Sequence, residues 1–178
     1  MMNDLQNGRS MLEMLGVLAI VGILTVGGFN LVTKVNNNNQ INSVIDEISG
    51  LASRVRRVAR DYTTGDGTFL KYVCKAKAYP DSLECDLADP SDEDKCNCTS
   101  FTGSADVEYE LAKADYPLSF TIKAKDLNNE MCMALLTANF GTENSTGFSG
   151  FDGISATDIG SAASSCSGDS NTLTLKFR

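Results

Sequence analysis

The chain has 178 residues, a formal net charge of −8, six cysteines and no histidine. Its length and its 42% hydrophobic content predict one domain of ordinary size with a core of its own. Because histidine is absent, the commonest general base and the Ser-His and Cys-His nucleophile pairs are absent too, so we expect no enzyme and no cofactor. The excess of 23 acids over 15 bases argues against nucleic acid as a partner.

The cysteines indicate the compartment. All six lie between Cys74 and Cys166, and an even number of cysteines in this spacing predicts three disulfides. Disulfides persist in oxidising compartments, so we expect the protein outside the cytosol and an export signal in its sequence.

The N-terminal segment contains such a signal. Residues 14–33 carry no charge, and twenty helical residues reach about 30 Å, enough to cross a bilayer core. An ordinary signal peptide begins with a basic region, but residues 1–8 hold one acid and no base, and Arg9 is the first cation. Glu13 stands at the start of the apolar run, where an unpaired carboxylate costs a few kcal/mol in lipid. The sequence therefore predicts a transmembrane helix whose acid needs a partner.

The residues Gly8, Arg9 and Glu13, in the run GRSMLE before the apolar stretch, resemble the class III leader of type IV pilins and pseudopilins. The resemblance implies that a prepilin peptidase cuts between Gly8 and Arg9 and that the new amino terminus is methylated. Glu13 becomes the fifth mature residue, the position at which that family pairs an acid with the N-terminal ammonium of a neighbouring subunit. Gly22 matches a helix glycine that many pilins share. Arg9 and Asn30 depart from the family, which usually has Phe or Met and often Pro at these places.

The following segment has the pattern of an amphipathic helix. Apolar residues recur at spacings of three and four from Ile41 to Tyr62. Joined to the apolar run, they predict a helix from about Ser10 to Asp61, on the order of 75 Å long. The four asparagines at 36–39 predict a kink, a frayed turn or a linker at the join. The arginines near the end of the helix are most simply a solvated basic face.

The middle of the chain is strongly acidic. A glycine-rich turn at 62–66 and a strand at 68–73 precede residues 81–94, which hold seven acids and no base. A calcium site is disfavoured because no D-x-D-x-D-G ladder is present, and a zinc site because there is no C-x-x-C pair and no histidine. We therefore expect a solvated acidic loop stapled by disulfides. Cys96 and Cys98 are too close for an easy mutual bridge, so each pairs with either Cys74 or Cys85.

The last third of the chain mixes strand and helix signals. The patterns predict strands at 107–111 and 118–124, a short helix from Asp126, mostly loop over 141–171 with a possible helical turn at 157–163, and a final strand at 173–177. The run YPLSFTIKAKDLNNEMCMALL resembles type IVb pilins, the group that includes the toxin-coregulated pilin. That resemblance implies a disulfide between Cys132 and Cys166, which closes the D-region of such proteins.

Together these patterns predict an α+β fold in which an N-terminal helix, apolar and then amphipathic, packs on a small antiparallel sheet stapled by disulfides. The expected segments are a leader at 1–8, a transmembrane or filament-core helix at 9–35, its amphipathic half at 36–61, and a head at 62–178 with an acidic cysteine-rich loop at 74–98 and a D-region at 132–166.

The expected function is that of a pilus subunit that polymerises through its N-terminal helix. Its partners would be identical subunits, the prepilin peptidase and the assembly machinery. The precursor would lie in the bacterial inner membrane with a cytoplasmic N-terminus and a periplasmic head, before entering an extracellular pilus or a periplasmic pseudopilus. The alternatives are a type II secretion pseudopilin or minor pilin, and a membrane-anchored disulfide-rich binding domain unrelated to pili.

Overall fold

A computed structural model describes residues 4–61, 69–89, 92–100, 107–114, 118–154 and 164–178. By its internal contacts the chain divides into two compact units, residues 1–39 and residues 40–178. The sheet and all three disulfides belong to the second unit.

Helix α1 covers Asp4–Asp61, so the four asparagines at 36–39 are helical and do not form a separate linker. Within the described ranges, no helix combines the length and the apolar character that crossing a bilayer requires. The predicted transmembrane segment is therefore not confirmed.

The amphipathic stripe of α1 between residues 41 and 59 has the burial that its spacing predicts. Its most buried members are between 0 and 4% exposed: Val44, Ile48, Leu51, Ala52, Val55 and Ala59. Spacings of three and four place these side chains on one side of the helix, where they join the core of the second unit. Burying an aliphatic side chain of this size contributes about 1.5–3 kcal/mol, so this stripe holds the helix in the core.

The sheet has six antiparallel strands in the order β1-β2-β3-β4-β6-β5, and the expected α+β class with an antiparallel sheet is confirmed. The strands are β1 Leu83–Asp89, β2 Asp92–Ser100, β3 Glu108–Lys113, β4 Phe120–Leu127, β5 Phe148–Phe151 and β6 Asn171–Phe177. The strands predicted at 107–111, 118–124 and 173–177 are present as β3, β4 and β6, with bounds shifted by a few residues. The ends of the sheet are β1 and β5.

Alternating residues of the central strands form the core face of the sheet. Leu111 pairs with Ile122, and Ile122 pairs with Leu175, so three fully buried aliphatic residues lie side by side across β3, β4 and β6. Next to them the rings of Phe120 and Phe177 stack with centroids 5.2 Å apart. These cross-strand pairs fix the register, because a slip of one residue would turn the whole apolar face to solvent.

Two predictions for the middle of the chain are wrong. The expected strand at 68–73 is helix α2, Phe69–Lys75, because its apolar residues are buried in adjacent pairs one helical turn apart rather than in alternation. The expected acidic loop at 81–94 is largely the hairpin of β1 and β2. Here Leu83 and Cys85 are buried while Glu84 and Asp86 are exposed, and this alternation suits an edge strand despite the density of acids.

The short helix predicted from Asp126 is helix α3, Asn129–Thr137, which begins three residues later than predicted. Asn128 caps it, since its side-chain oxygen accepts a hydrogen bond from the Met131 amide at 2.8 Å. The region expected to be mostly loop also contains β5. The turn predicted at 62–66 and the helical turn predicted at 157–163 lie outside the described residues.

The basic end of α1 is more than a solvated face. Arg54 donates a hydrogen bond to the Tyr79 carbonyl at 2.8 Å, and Arg56 donates one to the Ser145 carbonyl at 3.4 Å. Arg54 makes its bond while its side chain stays exposed, as predicted, whereas Arg56 is half-buried and is not part of the solvated face. Arg57 and Arg60 are exposed, as expected.

Candidate functional site

The residues that the leader pattern singles out all belong to helix α1. Gly8, Arg9 and Glu13 are helical positions of the backbone, and their side chains lie outside the part of the chain that the structure describes. Cleavage after Gly8 and pairing of Glu13 with a neighbouring amino terminus therefore stay predictions. Gly22 is described, and its surroundings are informative.

The described part of the apolar run is uncovered within the chain. Seven large apolar side chains between residues 14 and 23 have exposed fractions from 48% to 73%: Met14, Leu15, Val17, Leu18, Ile20, Val21 and Ile23. They point in all directions around the helix axis, because successive residues are rotated by about 100°. A contiguous apolar surface of this kind marks a site of contact with another protein or a membrane.

Two glycines interrupt this apolar surface. A Cβ atom built on Gly16 or on Gly22 meets no atom within 4 Å apart from the helix's own neighbouring backbone. Packing inside the described chain therefore does not require glycine at either position, although each glycine weakens a helix by about 1 kcal/mol relative to alanine. Small residues on an exposed helix permit another helix to approach closely.

The disulfides confirm the expected number of three. Cys132 is joined to Cys166, the pair that the resemblance to type IVb pilins implies. For the other four cysteines, which the sequence left open, the bonds are Cys74–Cys96 and Cys85–Cys98. Cys85 and Cys98 face each other across β1 and β2, while Cys74–Cys96 ties α2 to the sheet.

The cysteine cluster is also the place where a metal ion would be sought. The sulfur atoms of Cys85, Cys96 and Cys98 lie within 4.8 Å of one another. Each of them is in a disulfide, and a metal requires the thiolate form. The cysteines therefore form covalent cross-links that join β1 and α2 to β2.

Sequence reasoning missed a polar contact between α1 and the sheet. Glu47 is only 4% exposed, and its carboxylate accepts hydrogen bonds from Tyr109 Oη and from Ser100 Oγ, both at 2.8 Å. The sequence does indicate that Glu47 is buried, because Glu47 falls three residues after Val44 and four before Leu51, on the stripe that the spacing buries. A buried carboxylate needs such donors, since burying it without them costs several kcal/mol.

The electrostatics of β3 follow from its two faces. On the buried face, desolvation raises the pKa of Tyr109, and the negative charge of Glu47 and the hydrogen bond to it act in the same direction. On the other face, the hydrogen bond from Lys125 Nζ at 2.8 Å lowers the pKa of Glu110, with further lowering by the charges of Lys125 and Lys123. Tyr109 is thus a neutral donor, while Glu110 is held in its charged form.

Comparison with known proteins finds no matching protein family, no matching curated protein and no matching solved structure. The functional argument therefore depends on the residues and contacts described above.

Proposed function

We propose that this protein is the structural subunit of a filament of the type IV pilin kind, processed after Gly8 and assembled through its N-terminal helix. The observation that carries the proposal is the exposed apolar surface of α1 between residues 14 and 23. An exposed apolar surface of this kind is stabilised by burial against another apolar surface. Copies of the same helix provide such a surface, because the helix is apolar all round.

The second unit supports the same proposal. It has its own buried core, a six-stranded sheet and three disulfides, so the apolar surface of residues 14–23 is not the remnant of an incomplete core. Disulfides of this density fit a protein exposed outside the cytosol. A head stabilised by covalent bonds and a helix with an uncovered apolar surface suit a subunit that assembles after export.

The leader residues give the assembly its proposed chemistry. Cleavage between Gly8 and Arg9 creates a free ammonium group, and Glu13 lies four residues further along the helix. Pairing of that ammonium with Glu13 of a neighbouring copy would neutralise both charges as they leave water. The apolar side chains then supply most of the association energy, while the ion pair sets the axial register.

The experiment compares two aspartates introduced into the same helix. The full chain is purified in detergent, cut by a prepilin peptidase, and transferred to detergent-free buffer. Ile23→Asp places a charge on the apolar surface, where the wild-type side chain is 73% exposed. Asn38→Asp adds the same charge at an exposed polar position of α1 and is the matched control.

We expect wild type and Asn38→Asp to form filaments visible by electron microscopy, and Ile23→Asp to remain in small species. Non-reducing gels showing all three disulfides would establish that the variants are folded. If Ile23→Asp forms as many filaments as wild type, the apolar surface is not required for assembly. A wild-type chain that the peptidase leaves uncut and that stays monomeric would favour the anchored binding domain instead.

A further inference from the structure

A cavity of about 500 Å³ lies beside the basic end of helix α1. The helix contributes Arg56, Arg57 and Arg60, and the loop after α3 contributes polar side chains between residues 139 and 146. Phe177 of β6 also lines the cavity. Among the described residues no carboxylate does so, which leaves three guanidinium groups around one space.

These guanidinium groups have unused hydrogen-bonding capacity. Arg56 reaches the Ser145 carbonyl only at 3.4 Å, and no ion pair within the described ranges involves Arg57 or Arg60. Arginine presents five N–H donors in a planar fork that matches the two oxygens of a carboxylate. The cavity is therefore suited to carboxylate groups, although the chain as a whole carries a net charge of −8.

Carboxylates are concentrated on the hairpin of β1 and β2. On β1 the side chains of Glu84 and Asp86 are exposed on one face, while Leu83 and Cys85 are buried on the other. The strand forms one edge of the sheet, and the Cys85–Cys98 disulfide holds it against β2. The two acids are thus presented on a rigid edge rather than on a loop.

The acidic strand cannot fill the arginine cavity of its own chain. The cavity includes Phe177 of β6, and three strands separate β6 from β1 in the sheet. At about 4.8 Å for each strand spacing, β1 and β6 are roughly 19 Å apart. Two complementary charged surfaces that one sheet keeps apart can meet only between copies.

We propose that Glu84 and Asp86 of one copy enter the arginine cavity of a second copy and pair with Arg57 and Arg60. Because the two surfaces differ, each copy offers one to the neighbour before it and one to the neighbour after it. Such a heterologous contact repeats into a ring or an open helical array. The inference rests on the proposed filament function and adds a contact between the heads.

The test uses the full chain in detergent micelles, which cover the apolar surface of α1 so that association through the heads is measured alone. Sedimentation velocity compares the wild type with two charge-reversed proteins, R57E/R60E and E84R/D86R, and with the four-fold variant that combines them. The control K77E/K113E makes the same change in net charge as R57E/R60E at two exposed lysines outside the cavity.

We expect each charge-reversed protein to weaken self-association at least about tenfold, and the four-fold variant to regain most of it, because the attraction is restored with opposite signs. Equimolar mixing of R57E/R60E with E84R/D86R should restore association beyond pairs, because the native acidic strand of the first protein meets the native cavity of the second, and the two reversed surfaces attract each other as they do in the four-fold variant. The wild-type association should weaken as salt rises from 50 to 500 mM, in the way expected for solvent-accessible charges with Debye lengths of about 14 to 4 Å.

Wild-type association that is absent in micelles, or that both reversed proteins retain, would overturn the proposed head contact. Loss in both reversed proteins without recovery in the four-fold variant would overturn the pairing of these surfaces. If R57E/R60E forms filaments after detergent removal although the heads do not associate in micelles, the proposed function is retained and the proposed head contact is excluded. Neutral R57Q/R60Q separates loss of attraction from the unfavourable placement of acids at a helix C-terminus, and it should weaken association less than R57E/R60E.

Discussion

Tyr109 Oη donates a hydrogen bond to Glu47 Oε2 at 2.8 Å, linking the C-terminal part of helix α1 to strand β3 inside the core. Ser100 Oγ at the end of β2 donates to the other carboxylate oxygen, also at 2.8 Å. Apolar packing alone would permit the helix to slide or rotate by small amounts over the sheet. The two directional bonds select one position, because displacement would leave a buried carboxylate with fewer donors.

Replacement of Tyr109 by phenylalanine removes one of these donors and preserves the ring. We expect the free energy of unfolding to fall by about 1.5–3 kcal/mol, the range for hydrogen bonds to charged groups. Urea denaturation followed by far-UV circular dichroism measures the change.

Tyr79→Phe is the matched control, since Tyr79 is also buried and its hydroxyl makes no hydrogen bond to a described residue. We expect a smaller loss for this control. Equal losses in the two variants would show that the Glu47 contact does not fix the helix on the sheet.

The buried half of α1 could be predicted because its apolar spacing matches a helical period over many residues. Glu47 was overlooked because a single acid within such a stripe has no visible partner in sequence: Tyr109 lies 62 residues away. Long-range partners of this kind depend on the sheet order, which the sequence does not state. The arginine cavity was missed for the same reason, since its lining comes from α1, the loop after α3 and β6.

Local composition misled the prediction for the acidic hairpin. Seven acids in fourteen residues suggested a solvated loop, yet alternation of Leu83 and Cys85 with Glu84 and Asp86 is sufficient for an edge strand. The strand is possible because its acids face solvent and the Cys85–Cys98 bond holds the pairing. The two-residue alternation of apolar and acidic side chains therefore decided the structure of this segment, and its acidic composition did not.

The disulfides are expected to contribute unequally to stability. The Cys132–Cys166 bond spans 34 residues and the Cys85–Cys98 bond spans 13. Loop-closure entropy gives about 3.8 kcal/mol for the longer loop and about 2.9 kcal/mol for the shorter one. Guanidinium titrations of C132A/C166A and C85A/C98A should rank them in that order. The reverse order would indicate that packing around the hairpin, and not loop length, decides the cost.

Stability should also depend on pH through Glu110. Its pKa is lowered in the folded state by the hydrogen bond from Lys125, so the stabilisation is present above the unfolded pKa of about 4.3 and is lost as the pH falls through the folded pKa. Glu110→Gln should therefore be less stable than wild type at pH 7, and the difference should shrink below about pH 4.

Thermal melts at pH 7, 5, 4 and 3 follow this difference, with Glu84→Gln as the control at an exposed edge position. A Glu110→Gln deficit that stays constant from pH 7 to pH 3 would contradict the assignment of this acid sensitivity to Glu110.

Removal of the Glu13 charge should prevent assembly without unfolding the protein. We expect Glu13→Gln to retain the core and all three disulfides, to give at least about tenfold fewer filaments because the neighbouring ammonium loses its partner, and Glu13→Asp to be intermediate. Glu108→Gln makes the same change at an exposed position of β3 and should assemble normally. Electron microscopy and shearing assays count the filaments. Normal numbers from Glu13→Gln, with no wild-type subunit present, would exclude Glu13 as the assembly carboxylate.

The most direct measurement is the amino-terminal sequence of the mature protein recovered from assembled material. The proposed function predicts that it begins at Arg9, directly after Gly8, and keeps the whole apolar segment of residues 14–33. A bulky residue in place of Gly8 should leave the precursor unprocessed. A mature chain that begins beyond Thr25, or one that still carries the residues before Arg9, would contradict the account.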